Sequence, residues 1–359
     1  MNNLKNLIKI TFASLALSSI LSGTTLANPN KIEIEKIYLT SCINGGVCST
    51  TPKEVLLGDD VKLNLVVEAK KNNKQVYFSD KTDLELNGER IDFDLIKSWE
   101  EGDVKINWYK IESRFSSYNN VGGKYFRWDT PSYLETLVKE GDEWEIKADG
   151  HPTNLLSDVN NGLGTMRYKA EFIYKDFKIS TPGKESSDIQ GIKNNVHRVS
   201  FRKDNNFLGW LTSFFNVPYV YGSAGRQIDA YVGADCADFV VGAYKKASGR
   251  DVPYTYAAGL TNFADRIIKQ EEIFTDGKNF YKGNELLRYG KDVKEGDLIL
   301  YGGWHVGVLF EDRSNPFGEY SGDADGILDN YDLIINTFFD FPKKESIEKY
   351  GEFSILRWK

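Results

Sequence analysis

The segment VKLNLVVEA, residues 61–69, carries an apolar side chain at every second position, the period of a strand with one buried face. KQVYFS (74–79), DVKINWYKIE (103–112) and MRYKAEFIYKDFKIS (166–180) repeat that period and concentrate β-branched and aromatic residues. Between them lies turn material: LGDD, LNGE, EEGD, NVGG and NNGLG. The stretch SYLETLVKE (132–140) has the best helical spacing in this half and predicts a short helix. Residues 28–182 therefore read as an all-β module, an immunoglobulin-like sandwich, followed by a polar Gly/Ser-bearing linker at 183–194, GKESSDIQGIKN.

From residue 195 to 359 the pattern changes. NFLGWLTSFF (206–215), CADFVVGAYKKASG (236–249) and GLTNFADRIIKQ (259–270) space their apolar residues as helices do, and Gly249 marks a helix end. DLILYG, HVGVLFED and DLIINTFFDF then alternate as strands. Helices followed by a strand meander predict an α+β domain rather than repeated βαβ units.

Composition adds the compartment. MNNLKNLIKITFASLALSSILSGTTLA, residues 1–27, has a lysine-bearing start, an apolar middle and a small-residue cleavage site, the grammar of a cleavable signal peptide. Its apolar run is short and broken by serines, and no later run reaches membrane-spanning length, so the expected chain is exported, periplasmic or extracellular, without a transmembrane segment. A net charge of −7 without a dense Lys/Arg stripe argues against a nucleic-acid partner.

Export changes the reading of the three cysteines. Cys42 and Cys48, six apart with Gly45-Gly46 between them, can close a disulfide in an oxidising compartment. Cys236 is then left over, either an inert core thiol or a reactive one. It opens its helix, with Asp235 as the expected N-cap, where the helix dipole favours a thiolate. A thiol nucleophile needs a base, and only three histidines exist. His305 opens an apolar strand just after Gly302-Gly303-Trp304 and is the candidate, whereas His151 and His197 read as surface residues.

Four motifs in order, VPYVYG (217–222), ADC (234–236), EGDLILYGG (295–303) and HVGVLFE (305–311), resemble the pattern of the NlpC-type cell-wall peptidases. These are papain-like cysteine hydrolases of bacterial peptidoglycan, and the resemblance covers about 205–359 and not the β module. It implies a papain-like α+β domain with Cys236 as nucleophile, His305 as general base and Asn336 as the residue orienting the imidazole, Asp340 and Asp332 being fallbacks for that third place. It also implies that the Cys236 N–H contributes to an oxyanion hole and that Tyr221, Asp235 and Trp304 line the substrate cleft. Where the family commonly has Ser-Gly after the cysteine, this chain has Ala237-Asp238; Asp238 either caps the helix or alters access to the thiol.

The long segment before Asn336 contains SGDADGILDNYD, residues 321–332. It falls on the spacing of a calcium loop, with Asp323, Asp325, Ile327, Asp329 and Asp332 as candidate ligands, or is simply an acidic hairpin tip. The chemistry itself requires no cofactor. The expected function is amide-bond hydrolysis in peptidoglycan stem or bridge peptides, the β module serving as a wall-targeting or protein-interaction domain. An amidase or transpeptidase on the same scaffold, and a catalytically silent wall-binding or adhesion protein, are the alternatives.

Overall fold

The computed structural model describes residues 32–118, 130–153, 160–223, 225–316 and 323–359; the expected signal peptide lies outside them. The protein is mostly β, with few helices. None of the described helices is long and apolar enough to cross a membrane.

The first half builds two facing sheets. One is centred on the antiparallel pair Ile32–Ile43 and Val61–Lys71. The other runs Tyr133–Gly141, Lys105–Ser113, Gly164–Tyr174, His197–Arg202, Lys53–Leu56. The alternation read from the sequence decides their packing: Leu63, Leu65, Val67 and Ala69 face Trp108, Met166, Tyr168, Phe172 and Val199 in one dry core. Val66, pointing the other way, joins Cys42, Cys48, Tyr77 and Leu84 in a second small core. The expected Cys42–Cys48 disulfide is formed there, tying the end of the first strand to Cys48–Ser49.

The first half departs from expectation at three places. SYLETLVKE is not a helix but the edge strand Tyr133–Gly141, because its backbone pairs along the length of Lys105–Ser113. The segment 183–194 carries a small hairpin, Ser187–Asp188 with Gly191–Ile192, and Ile192 is buried between the two halves of the molecule. His197–Arg202, counted with the second half, is hydrogen-bonded into the sandwich, antiparallel to Gly164–Tyr174 and parallel to Lys53–Leu56. His197 is accordingly buried rather than on the surface, its Nε2 2.9 Å from the Ser41 hydroxyl.

In the second half a six-stranded sheet runs Ala264–Ile268, Ser354–Trp358, Leu298–Tyr301, His305–Glu311, Leu333–Asn336, Lys343–Ser346. Helices α1 (Phe207–Thr212), α2 (Gly225–Asp229) and α3 (Cys236–Ser248) accompany it. Leu298, Leu300, Val306 and Val308 face α3, while Ile299, Tyr301, Leu309 and Ile334 face a cover that includes Phe280 and Leu287. The sheet is buried on both faces, so Leu298–Tyr301, His305–Glu311 and Leu333–Asn336 bury nearly every residue instead of alternating as expected. The expected helix GLTNFADRIIKQ is instead a 3-10 turn, Ala257–Asn262, followed by the strand Ala264–Ile268, which finds its partner in Ser354–Trp358 at the end of the chain.

Candidate active site

Helix α3 places Cys236. The Asp235 carboxylate accepts from the N–H groups of Ala237 (3.1 Å) and Asp238 (2.9 Å), which caps the helix start and makes Cys236 its first residue. Gly249 ends the helix in the left-handed conformation at φ 67°. The other Asp235 oxygen accepts from Gly222 at 3.0 Å, so this carboxylate is spent on the local backbone. Asp238 does not cap. It is buried, accepts from the Ser223 hydroxyl at 2.9 Å, and ties α3 to the loop that follows Val220.

The sheet places the other two residues. Leu298–Tyr301 and His305–Glu311 are joined through Gly302 and Gly303, both left-handed (φ 52° and 81°), a turn that a side chain at either position would strain. The turn delivers His305 at the first residue of its strand, and Asn336 ends the neighbouring strand Leu333–Asn336. Main-chain N–H groups of Val306 and Ala237 point at the Cys236 sulfur, so the thiol sits against the histidine strand.

Sealing dominates the electrostatics. Cys236 is 7% exposed and His305 is 0% exposed. The imidazole lies in an aromatic box, its centroid 4.4 Å from Tyr350, 4.7 Å from Phe338, 5.6 Å from Trp304 and 5.7 Å from Tyr301. Neither ring nitrogen has a partner at full hydrogen-bond geometry among the described residues, although the Asn336 amide is close enough to act on the ring. Burial pulls its pKa down to about 4, opposed by the Asn336 amide and the Glu345 charge. The expected thiolate does not form in this state: burial, reinforced by the Asp235 charge, pushes the thiol up to about 12. A rise of three units corresponds to about 4 kcal/mol. A helix dipole supplies at most about 2 kcal/mol, which explains why burial wins. Both groups are neutral at pH 7, a protonated thiol and an unprotonated imidazole.

Asn336 is fully buried and held on both sides, its Nδ2 donating to Glu345 at 3.2 Å and its Oδ1 accepting from the Tyr350 hydroxyl at 3.2 Å. Tyr350 also donates to Glu345, and Lys343 pairs with Glu345 at 3.2 Å. Burial pushes the Glu345 carboxyl up, but Tyr350, Asn336 and Lys343 together outweigh it and hold the group below the ordinary range. The sequence reading did not single out Glu345 or Tyr350. Nor did it name Tyr219, whose ring lies 5.0 Å from Phe339 and whose hydroxyl and the Cys236 thiol would each oppose the other's ionisation. The aromatic run after Asn336, TFFDF, signalled only the Phe338 and Phe339 part of this enclosure. Of the predicted cleft residues, Trp304 is 53% exposed and its ring stacks on His305, and Tyr221 is exposed. Asp340 pairs with Lys343 at 3.0 Å and Asp332 accepts from Arg313 and Asp329 N–H groups, so both fallbacks have other work.

In the acidic stretch Asp325, Asp329 and Asp332 turn carboxylate oxygens to main chain, and Asp329 also lies 3.6 Å from the Lys278 ammonium. Asp325 accepts from Ile327, Asp329 from Tyr331, and Asp332 from Asp329 and Arg313. Ile327 bridges to Arg288, and Ser321 lies outside the described residues. Among the described residues no group of three or more His, Cys, Asp or Glu side chains is arranged to hold a metal ion.

The Asp235 charge is a testable lever on the thiol. Asp235→Asn keeps a capping side chain and removes the repulsion, so the pH midpoint of Cys236 alkylation by iodoacetamide should fall below that of the wild type. An unchanged midpoint would mean that burial alone sets it. Cys236 is the free cysteine, so the reagent reports one site.

No family model, no curated protein and no solved structure matches the chain.

Proposed function

We propose that the second half is a papain-like cysteine hydrolase of the NlpC type, exported by its leader segment, that cuts amide bonds in peptidoglycan stem or bridge peptides. One observation carries the reading: a fully buried imidazole, with no hydrogen bond at full geometry and only the Asn336 amide acting on it as a polar partner, stands on the strand against which the free thiol packs. A buried imidazole without a full hydrogen bond costs stability and earns no packing advantage that phenylalanine would not give, so its presence points to chemistry.

In the reaction the Cys236 sulfur attacks the substrate carbonyl as its proton passes to His305. The carbon–nitrogen bond breaks, and the leaving amine takes that proton, which leaves a thioester on Cys236. Water then attacks the thioester with His305 as base, releasing the carboxylate product and restoring the thiol. Asn336, fixed by Glu345 and Tyr350, orients the ring. The cap satisfies Ala237 and Asp238 and leaves the Cys236 N–H for the oxyanion. Entry of a peptide requires the Trp304–Phe338–Phe339 cluster to part, and the sandwich would hold the enzyme on the wall or on a protein partner.

Mass spectrometry of the products from purified peptidoglycan tests this reading. A new amine and a new carboxylate at a peptide bond mark an endopeptidase, release of the whole stem marks an amidase, and transfer to an added amine marks a transpeptidase. The sealing of both groups favours one other reading, a silent wall-binding protein, for which no bond is cut and the protein merely sediments with the wall.

A further inference from the structure

Arg167 lies on the sandwich strand Gly164–Tyr174, yet its guanidinium reaches across to the second half. It is 8% exposed and donates to the carbonyl oxygens of Ala230 at 2.6 Å and Tyr231 at 3.0 Å. Burial pulls it down to about 10, helped by the nearby Arg198, and among the described residues it forms no ion pair with a carboxylate. A buried arginine ordinarily takes an acidic partner. Here two main-chain carbonyls replace it, and they belong to the loop that runs into Cys236.

That loop is held under strain. Tyr231 is an aromatic residue in the left-handed conformation, φ 56°, a state that persists only where its surroundings enforce it. Its ring receives the Arg198 guanidinium at 4.4 Å and the Lys246 ammonium at 4.9 Å, and its hydroxyl is 3.0 Å from the Ser213 hydroxyl. Glu54 of the sandwich links the two cations, 2.7 Å from Lys246 and 3.5 Å from Arg198. A second route runs through main chain. The Tyr219 N–H donates to Ser116 of the sandwich at 2.8 Å, and the Val220 N–H donates to Ala234, two residues before Cys236, at 3.1 Å.

We propose that Arg167 is a positioning residue: by gripping Ala230 and Tyr231 it lets the sandwich fix the loop that sets the depth and direction of the Cys236 thiol. The sandwich is then a working part of the site as well as a binding module. Because misplacing a reacting group by an ångström costs orders of magnitude, releasing the grip has opposite consequences for two readouts. The thiol becomes easier for a small reagent to reach, while turnover falls.

The test uses the full chain with Arg167→Gln, Arg167→Lys and a control, Phe172→Leu, which loosens the sandwich core away from the loop. At 25 °C and pH 8, Arg167→Gln should raise the iodoacetamide alkylation rate of Cys236 about tenfold through local opening, and Arg167→Lys about threefold. Phe172→Leu should alkylate at the wild-type rate although it melts lower. On peptidoglycan, Arg167→Gln should lower kcat about tenfold with KM little changed, an arm that rests on the hydrolase reading. A wild-type alkylation rate in Arg167→Gln, or an equal rise in Phe172→Leu, overturns the proposal. Should Arg167→Gln fail to fold, an unchanged rate in Arg167→Lys does the same. A wild type that cuts nothing defeats the hydrolase reading alone, since alkylation still decides the role of Arg167.

Discussion

His305→Phe should make the protein more stable and abolish nearly all of the proposed hydrolase activity. The ring would enter a box already built from Tyr301, Trp304, Phe338 and Tyr350, and it would remove two buried nitrogens that have no hydrogen bond at full geometry among the described residues. Relief of unsatisfied buried polar groups is worth about 1–3 kcal/mol, a rise of a few degrees in Tm for a domain of this size. Loss of the general base should lower kcat by roughly a thousandfold. The pH profile carries a second signature. With His305 held at about 4 and serving as the proposed neutral base, the acid limb of kcat/KM in the wild type should fall near pH 4, below the ordinary imidazole range, and should vanish in the variant. Calorimetry and initial rates check the two signs together. A variant that loses stability in step with activity would mark His305 as a packing residue.

His197 offers the largest effect on stability alone. Burial pulls this imidazole down to about 3 against an ordinary value near 6.5, so it stays neutral in the folded chain while the unfolded chain takes up a proton. Its depressed value therefore leaves stability intact above about pH 6.5 and removes it as the pH falls toward 3, by about 1.4 kcal/mol per pH unit. Asp238 and Asp332 act in the opposite direction, since burial raises both to about 8 and the folded chain holds their protons over the same window. The wild-type curve sums these effects, so the informative quantity is a difference between two proteins. Urea unfolding of His197→Gln and the wild type should differ by a constant above pH 7, and the gap should move in favour of the variant at every step below pH 6.5. A gap that stays constant down to pH 4 would mean that His197 titrates normally.

How much of this was legible in the sequence depends on whether a signal was local. The start of α3 was readable because Asp235, Gly249 and the apolar positions between them belong to one helix. The sandwich strands were readable because Leu63, Leu65 and Val67 show their period without reference to their partners. Tyr133–Gly141 and Ala264–Ile268 misled because their spacing suits a helix, and distant pairing with Lys105–Ser113 and Ser354–Trp358 overrides it. The site divides along the same line. Cys236, His305 and Asn336 each carry a positional clue. The grip of Arg167, the burial of His197 and the Glu345–Tyr350 support arise only from contacts across the fold. The state of the thiol was misjudged for a related reason: a helix start is visible in sequence, but the aromatic residues that close over it are scattered from Tyr219 to Tyr350.

Whether Cys236 cuts peptidoglycan, as proposed above, is decided by comparing two proteins. Purified peptidoglycan is incubated with the wild type and with Cys236→Ala, and the soluble muropeptides are identified by mass spectrometry. The wild type should release fragments that end at a newly cut amide bond, and Cys236→Ala, folded and wall-bound, should release none. Equal release by the two proteins, or release by neither, would contradict the account.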